Sequence, residues 1–478
     1  MIMPRFIQTL TWGAVASLAC CTACKKASVP EVHQARTSDV DLESMDMMHD
    51  QTAEDSKLDG STSEVDISDV FEGCHTRRHD APCTLFVAPS GDNSRDGRTR
   101  EASLQSPTRA VRKARRGDVI CLARGRYKPF SITNFRATKE EPLILRTLPG
   151  DRGEVLITSG SVRHGVGIRV EHAEHVHLYD VSISAVQEGI ALSGCAHCRV
   201  EGVSIDAVGQ AGIRVRRKSD WKDETRFEGL PSHHIDLIGN TIRDTGNLTA
   251  RFGEGIYVGT GGKQGDETHD IFIANNHIKG VRAEAIDIKP WTTHIIVRAN
   301  LITGGSHFFH GAISVGVQAF DAPDAQFLIE GNRIHGYTGT SKDEKVAGIC
   351  IGHGNGVVRE NILWDISGGP GIRTTTTFMN PNARKVLIEK NTVWSTRGEP
   401  SITIHDGDER TGFTDGLGEV SLRGNVTHDG ALGSRKAVER DFAGSISGAA
   451  SSEGESPGSG FVFLKEGEGA RLWPLRRP

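Results

Sequence analysis

The chain has 478 residues, including 56 glycines, with 24% charged residues and a formal net charge of -5. That balance lacks the basic surplus needed to follow a phosphate backbone, so nucleic acid is not an expected partner. A slightly negative protein also exerts no long-range pull on an acidic polymer, so an anionic substrate requires a local basic or metal-bearing site.

In chain order, Arg5 followed by the mostly apolar run from Phe6 to Ala19 predicts a signal peptide over 1–19, since the run is too short to span a bilayer. Ser17-Leu18-Ala19-Cys20 resembles a bacterial lipobox, which implies cleavage before Cys20 and lipidation of that cysteine. Cys21 rather than Asp follows it, which implies an outer-membrane lipid anchor in a Gram-negative cell. The expected location is therefore the outer membrane or the extracellular side of a bacterium. Residues 20–70 hold the lipidated cysteine and then an acidic, Ser- and Thr-rich stretch with no hydrophobic period, which predicts a disordered tether.

Residues 71–130 read as an N-terminal cap. An exported chain permits disulfides, and Cys74 and Cys83 flank a short polar loop, so they are the expected pair. Ser106-Pro107 supplies a helix N-cap and a first-turn proline. Residues 107–116 then place Ala110, Val111 and Ala114 on one side of a short capping helix that Gly117-Asp118 ends. The stretch from Leu85 to Tyr127, including Leu85-Phe86-Val87-Ala88-Pro89-Ser90-Gly91-Asp92, resembles the N-terminal cap of secreted right-handed parallel β-helix proteins of the pectate-lyase-like superfamily.

Residues 131–435 repeat two motifs. One is a small residue, Ile, any residue and usually an aliphatic, as in Gly167-Ile168-Arg169-Val170, Gly189-Ile190-Ala191-Leu192 and Gly212-Ile213-Arg214-Val215. The other begins with Asn, as at Asn240, Asn276, Asn300, Asn332, Asn361, Asn391 and Asn425. A period of some 22 residues, built of β-branched and turn residues, leaves no room for a crossover helix, so each coil consists of strands and bends. The predicted fold is all-β: a right-handed parallel β-helix, or solenoid, behind the short capping helix. The asparagines are expected to stack as an internal ladder that satisfies turn backbone groups. Insertions recur after the Ile-bearing strand, at 217–232, 260–269, 317–325, 375–383 and 405–417, and so gather on one side. Cys195-Ala196-His197-Cys198 falls at a turn of the repeat with no second pair to complete a zinc site, which predicts a structural role. Residues 436–478 read as a linker and tail.

Strand parity gives two outward columns. The first runs Arg169, Ala191, Arg214, Tyr257, Asp287, Ser314, Cys350, Arg373, Thr403; the second runs Glu171, Ser193, Arg216, Gly259, Lys289, Gly316, Gly352, Thr375, His405. Lys289 is thus expected to stand exposed on a floor made by Gly259 and Gly316, with Asp287 beside it on the strand. Glu254 and Glu284 open their strands at equivalent bends and, turned outward, complete an acidic cluster.

This set suits β-elimination in an acidic polysaccharide. A base removes the proton next to a uronate carboxylate, whose charge must be neutralised while the glycosidic oxygen leaves. Lys289 fits the base if neighbouring cations and desolvation lower its pKa. Glu254, Glu284 and Asp287 fit ligands of Ca²⁺, and Arg214 and Arg216 fit carboxylate clamps. Tyr257 fits a sugar-stacking group or a proton donor to the leaving oxygen, while Arg373, His307 and His310 fit the rim. Glu254-Gly255-Ile256-Tyr257-Val258-Gly259-Thr260 followed by Ala283-Glu284-Ala285-Ile286-Asp287-Ile288-Lys289 and Thr292-Thr293 resembles successive rungs of bacterial β-helix proteins related to pectate and alginate lyases. The resemblance implies a lysine base at Lys289 beside acidic calcium ligands. The next rung, from His310 to Gly316, lacks the further charged residues such a site would carry.

Two alternatives remain. A non-catalytic, lipid-anchored β-helix binding glycan at the cell surface would use the same columns as contacts. Gly352-His353-Gly354 resembles the Gly-His-Gly of polygalacturonase-type hydrolases, although no paired aspartates precede it and no lysine follows Arg373. A monomer is expected in each case.

Overall fold

The computed structural model describes residues 81–219, 227–249, 252–261, 265–307, 310–316, 326–339, 346–352, 354–374, 385–394, 401–404, 419–428 and 432–434. The predicted signal peptide, Cys20, the tether and the C-terminal tail lie outside these residues. Among the described residues the coil is made of three parallel sheets, one of twelve strands and two of eleven, visited in turn by each circuit of the chain. One circuit runs through Ile213–Arg216, His233–Ile238 and Thr241–Arg243 before Ile256–Val258 begins the next. The architecture is the right-handed parallel β-helix anticipated from the repeat. The capping helix, Pro107–Lys113, has its Ser106 side chain accepting from the Arg109 N–H.

The frame isoleucines explain the register. Ile168, Ile190, Ile213, Ile256, Ile286, Ile313, Ile349, Ile372 and Ile402 pair one above another in one sheet, and each is buried. A one-residue slip would turn every one of them out of the coil, so the apolar column fixes which side chains share the outer face. At the bend between the second and third strands of each coil, Asn240, Asn276, Asn300, Asn332, Asn361, Asn391 and Asn425 form a continuous ladder. Each side-chain amide donates to the next asparagine's Oδ1 at 2.9–3.0 Å. Each Nδ2 also donates to a strand carbonyl, from Val200 through Ile388. The ladder gives buried backbone a partner at a bend where no sheet can supply one.

The expected Cys74–Cys83 bridge is not the one formed. Cys83 bonds to Cys121, with Cα atoms 5.7 Å apart and a sequence separation of 38. Leu85–Val87 pairs in parallel with Val119–Leu122, so the chain just before the first strand lies over the second. Cys74 lies outside the described residues. Cys195 and Cys198 are free and buried, their Sγ atoms facing the backbone oxygens of Val170 and Ala173.

Candidate active site

The first outward column exists as read from the sequence. Successive strands pair Arg169 with Ala191, Ala191 with Arg214, Arg214 with Tyr257, Tyr257 with Asp287, Asp287 with Ser314, Ser314 with Cys350, Cys350 with Arg373, and Arg373 with Thr403. The second column continues by backbone bonds: Gly259, Lys289, Gly316 and Gly352 each donate their N–H to the preceding rung, at 2.8 Å. Thr375, His405 and His353 lie outside the described residues, as does the side chain of His307.

At the bends, Gly212 donates to the carbonyl of Glu254 and Gly255 to that of Glu284, which stacks the two glutamates on adjacent rungs. Carboxylate oxygens of Glu254, Glu284 and Asp287 lie within 4.8 Å of one another. All three residues are buried. Lys289 Nζ is 2.6 Å from Asp287 Oδ2 and 5.3 Å from the centre of the Tyr257 ring. That contact is a short ion pair in which the ammonium faces Oδ2. The Tyr257 hydroxyl accepts from the Gly261 N–H at 3.0 Å.

Three expectations about this rung are corrected. Lys289 is not exposed: only 13% of its side chain is accessible. The glycine beneath it is filled rather than open, because a Cβ on Gly259, at φ +86, would lie 2.5 Å from Thr292 Cγ2 and 3.1 Å from Lys289 Cβ. Nor is the lysine pKa lowered. Burial pulls it down, but Asp287, Tyr257 and Glu284 outweigh that and hold it well above its ordinary value.

The carboxyl groups absorb the opposite strain. Burial, then Asp287 and Glu284, push Glu254 up to about 8. Burial, then Asp287, push Glu284 up to about 7. Burial raises Tyr257 to about 12, although Lys289 opposes it. Three acids against one lysine leave an excess of buried negative charge, and such charge is costly unless protonated, paired or metal-bound.

The remaining candidates divide. Arg214 is already engaged, its NH2 2.6 Å and its Nε 3.2 Å from Glu188 Oε2. The repeat contains a cue for this partner: Glu188-Gly189-Ile190 is built like Glu254-Gly255-Ile256, a bend glutamate opening a strand. Arg216, by contrast, has a buried Nε without a partner, and burial followed by the nearby charge of Arg214 pulls its pKa down. Arg373 is buried, with one guanidinium nitrogen 3.5 Å from Cys350 Sγ and its Nε without a partner. His310 is buried and kept neutral, pushed down to about 3 by burial and then by Lys289 and Arg373. Sequence reasoning placed Ser314 in the column but gave it no part in the site; it is fully buried between Asp287 and Cys350 with its Oγ lacking a partner. Asp266 was not singled out at all; it accepts from the Thr260 hydroxyl at 2.5 Å and from the Arg217 N–H at 3.1 Å. Asp266 thereby ties the segment after Tyr257 to the chain that follows Arg216.

Among known proteins, a family model described as "Right handed beta helix region" matches residues 166–336. No curated protein sequence matches. An alginate lyase from Paenibacillus sp. str. FPU-7 is similar in structure at 20% identity, with a TM-score of 0.46, over 69% of this chain and 94% of that one. A GH136 lacto-N-biosidase from Eubacterium ramulus is similar at 14% identity and a TM-score of 0.40, over 72% and 67% of the two chains. PfbA, a surface adhesin of Streptococcus pneumoniae, is similar at 11% identity and 0.39, over 68% and 85%. Likenesses at this level assign no activity.

Proposed function

We propose that the protein is an extracytoplasmic polysaccharide lyase, anchored through a lipidated Cys20, that cleaves an acidic, uronate-containing glycan by β-elimination. The observation that carries this reading is the contact of Lys289 with Asp287 inside a set of three buried carboxylates. A hard divalent cation such as Ca²⁺ fits that donor set, because all its ligands would be carboxylate oxygens, already gathered within 4.8 Å of one another. Glu254, Glu284 and Asp287 would hold it, and its charge would stabilise the uronate carboxylate as negative charge builds there.

Lys289 is the base. Its proton is held by carboxylates, so neutralising their charge releases it to the range in which an amine accepts a proton. The C–H electron pair next to the uronate carboxylate becomes the new double bond, and the glycosidic oxygen leaves with its own bonding pair. Tyr257, with a hydroxyl still protonated at neutral pH, gives that oxygen a proton. Arg216 binds the substrate carboxylate and replaces Arg214 in that part, since Glu188 already occupies Arg214. Arg373 lies farther along the column and His310 at the bend opening the rung after Lys289, where they would meet neighbouring sugars.

A second reading has its own support in the burial of the same cluster: a closed acid and lysine set braces the coil, and the protein binds glycan without cleaving it. Incubation with a panel of uronate polymers, with and without chelator, separates the two. A lyase yields an unsaturated, ultraviolet-absorbing product that disappears in Lys289→Ala. Retention of polymer without product, or full activity in Lys289→Ala, overturns the lyase reading.

A further inference from the structure

Between the two buried thiols of Cys195 and Cys198 lies His197, which joins other imidazoles instead of the sulfurs. At the bend entering five consecutive strands of the twelve-stranded sheet, the chain passes through a left-handed residue: His175, His197, His234, Asp270 and His294, with φ of 51–55°. The residues just before them are in register from rung to rung, Glu174 with Ala196, Ala196 with His233, His233 with His269, and His269 with Thr293. A β-helix with one repeated bend thus sets a column of histidines on its outside.

Most of that column merely stacks. His175 lies over His197 at 4.6 Å with planes 5° apart, and His233 over His269 at 5.1 Å and 10°. Between these pairs the stacking breaks. The His197 ring stands 84° to His233 and 38° to His234, and His233 stands 80° to His234. These three rings bring one nitrogen each to within 4.8 Å of the others, with His233 Nδ1 2.9 Å from His234 Nδ1. Two imidazoles bound to one metal at about 2.0–2.1 Å place their nitrogens about 3 Å apart, so this pair needs little movement to share a cation. Asp270 stands beside them, 3.6 Å from His234 Nδ1 and 3.3 Å from His294 Nδ1. Because it faces the same nitrogen that would meet the metal, this carboxylate is a further oxygen donor within reach of the site rather than a partner of the ring's other nitrogen.

We propose that His197, His233 and His234 form a second metal site, for a d-block divalent cation of the zinc class. Imidazole nitrogens select such an ion over calcium, which takes oxygen donors. The site spans the insertion at 217–232: His197 precedes that arm, and His233 and His234 follow it. The arm contains an antiparallel pair, Lys218–Ser219 with Phe227–Glu228. A metal here clasps the two rungs from which the arm departs. A cavity of about 180 Å³, lined by His172, Glu174, Leu230 and Pro231, adjoins the cluster on the side of His233.

The test is calorimetric titration of the chelator-stripped full chain with ZnCl₂, repeated on His197→Asn, His234→Asn and His233→Gln. Asparagine tolerates the left-handed backbone at 197 and 234, so these variants remove imidazole without straining the bend. The expected result is one zinc per chain, bound more than about 10-fold more weakly in each histidine variant and unchanged in Glu254→Gln/Glu284→Gln. Co²⁺ substitution gives a second readout that needs no variant, namely visible d–d bands without the thiolate charge-transfer band. No zinc binding, equal affinity in the histidine variants, loss of zinc only in the glutamate variant, or a thiolate band each overturns the proposal. Because the glutamate variant reports separately on the acidic cluster, failure here is distinguishable from failure of the lyase reading.

Discussion

Lys289 and Asp287 are two residues apart on one strand and therefore share a face, and their charged atoms meet at 2.6 Å. Asp287 is buried and Lys289 only slightly accessible, so each partner depends on the other far more than a surface pair would. Lys289→Met leaves the three acids without their counter-cation. It is expected to reduce lyase turnover by about 10²-fold or more, as loss of a general base does. Absorbance of the unsaturated product against time is the measurement, with far-ultraviolet circular dichroism to show that the coil persists.

Stability should fall as pH rises through the range set by the two glutamates. Glu254 and Glu284 are pushed up to about 8 and about 7 in the folded chain, against an ordinary glutamate value of 4.5. Between these limits the folded protein binds more protons than the unfolded chain, so raising pH favours unfolding. The protection is complete below about pH 4.5 and is lost as pH climbs through about 7 to 8. Melting temperatures across that window, compared with Glu254→Gln/Glu284→Gln, check this. The double variant should give a flatter profile.

Calcium should reverse that loss. A cation held by the same carboxylates binds the folded chain alone, so at 100-fold excess over its Kd it adds about 2.7 kcal/mol. The increase should be larger at pH 8 than at pH 6, because the ligands must first lose their protons. Thermal scans with Ca²⁺ or with chelator measure it, and Asp287→Asn should remove most of the difference.

How much of this was legible in the sequence depends on what strand geometry fixes. The column from Arg169 to Thr403 could be read directly, because alternation along a strand and a constant register decide which side chains face out. The clustering of Glu254 and Glu284 needed the structure, since parity does not govern a bend. The partner of Arg214 was hidden for the same reason: Glu188 also sits at a bend, 26 residues earlier. Burial of Lys289 was not legible, because it depends on chain from other rungs, about which the hexapeptide around it says nothing. The partner of Cys83 was misread because nearness in sequence was taken for nearness in space, whereas a solenoid places the next strand of the same sheet alongside.

That bridge carries its own prediction. Closing a loop of 38 residues restricts the unfolded chain by about 4 kcal/mol on the chain-entropy account. Cys121→Ser should lower stability by about 2–4 kcal/mol, read from denaturant midpoints with and without reductant. The Cys74→Ser variant should leave the midpoint unchanged.

Asn332 makes a comparable contribution without a covalent bond. Its Nδ2 donates to Val297 O and to Asn361 Oδ1, and its Oδ1 accepts from the backbone and side chain of Asn300. Asn332→Ala orphans several buried groups at once and should cost about 3 kcal/mol or more. Asn332→Asp should be no rescue, since a carboxylate cannot donate to Val297 O or Asn361. Urea denaturation of both variants measures the loss.

The asparagine ladder also has a direction, each amide handing one hydrogen to the asparagine of the next rung and the other to a backbone carbonyl of the rung before. Such a column can be lengthened or shortened only in whole circuits. A duplicated coil brings its own asparagine and rejoins the line, whereas one extra residue at that bend leaves the amides on either side without partners. Length variation among descendants of this chain should therefore come in units of a complete coil, or else fall on the opposite bend, where the long insertions already lie.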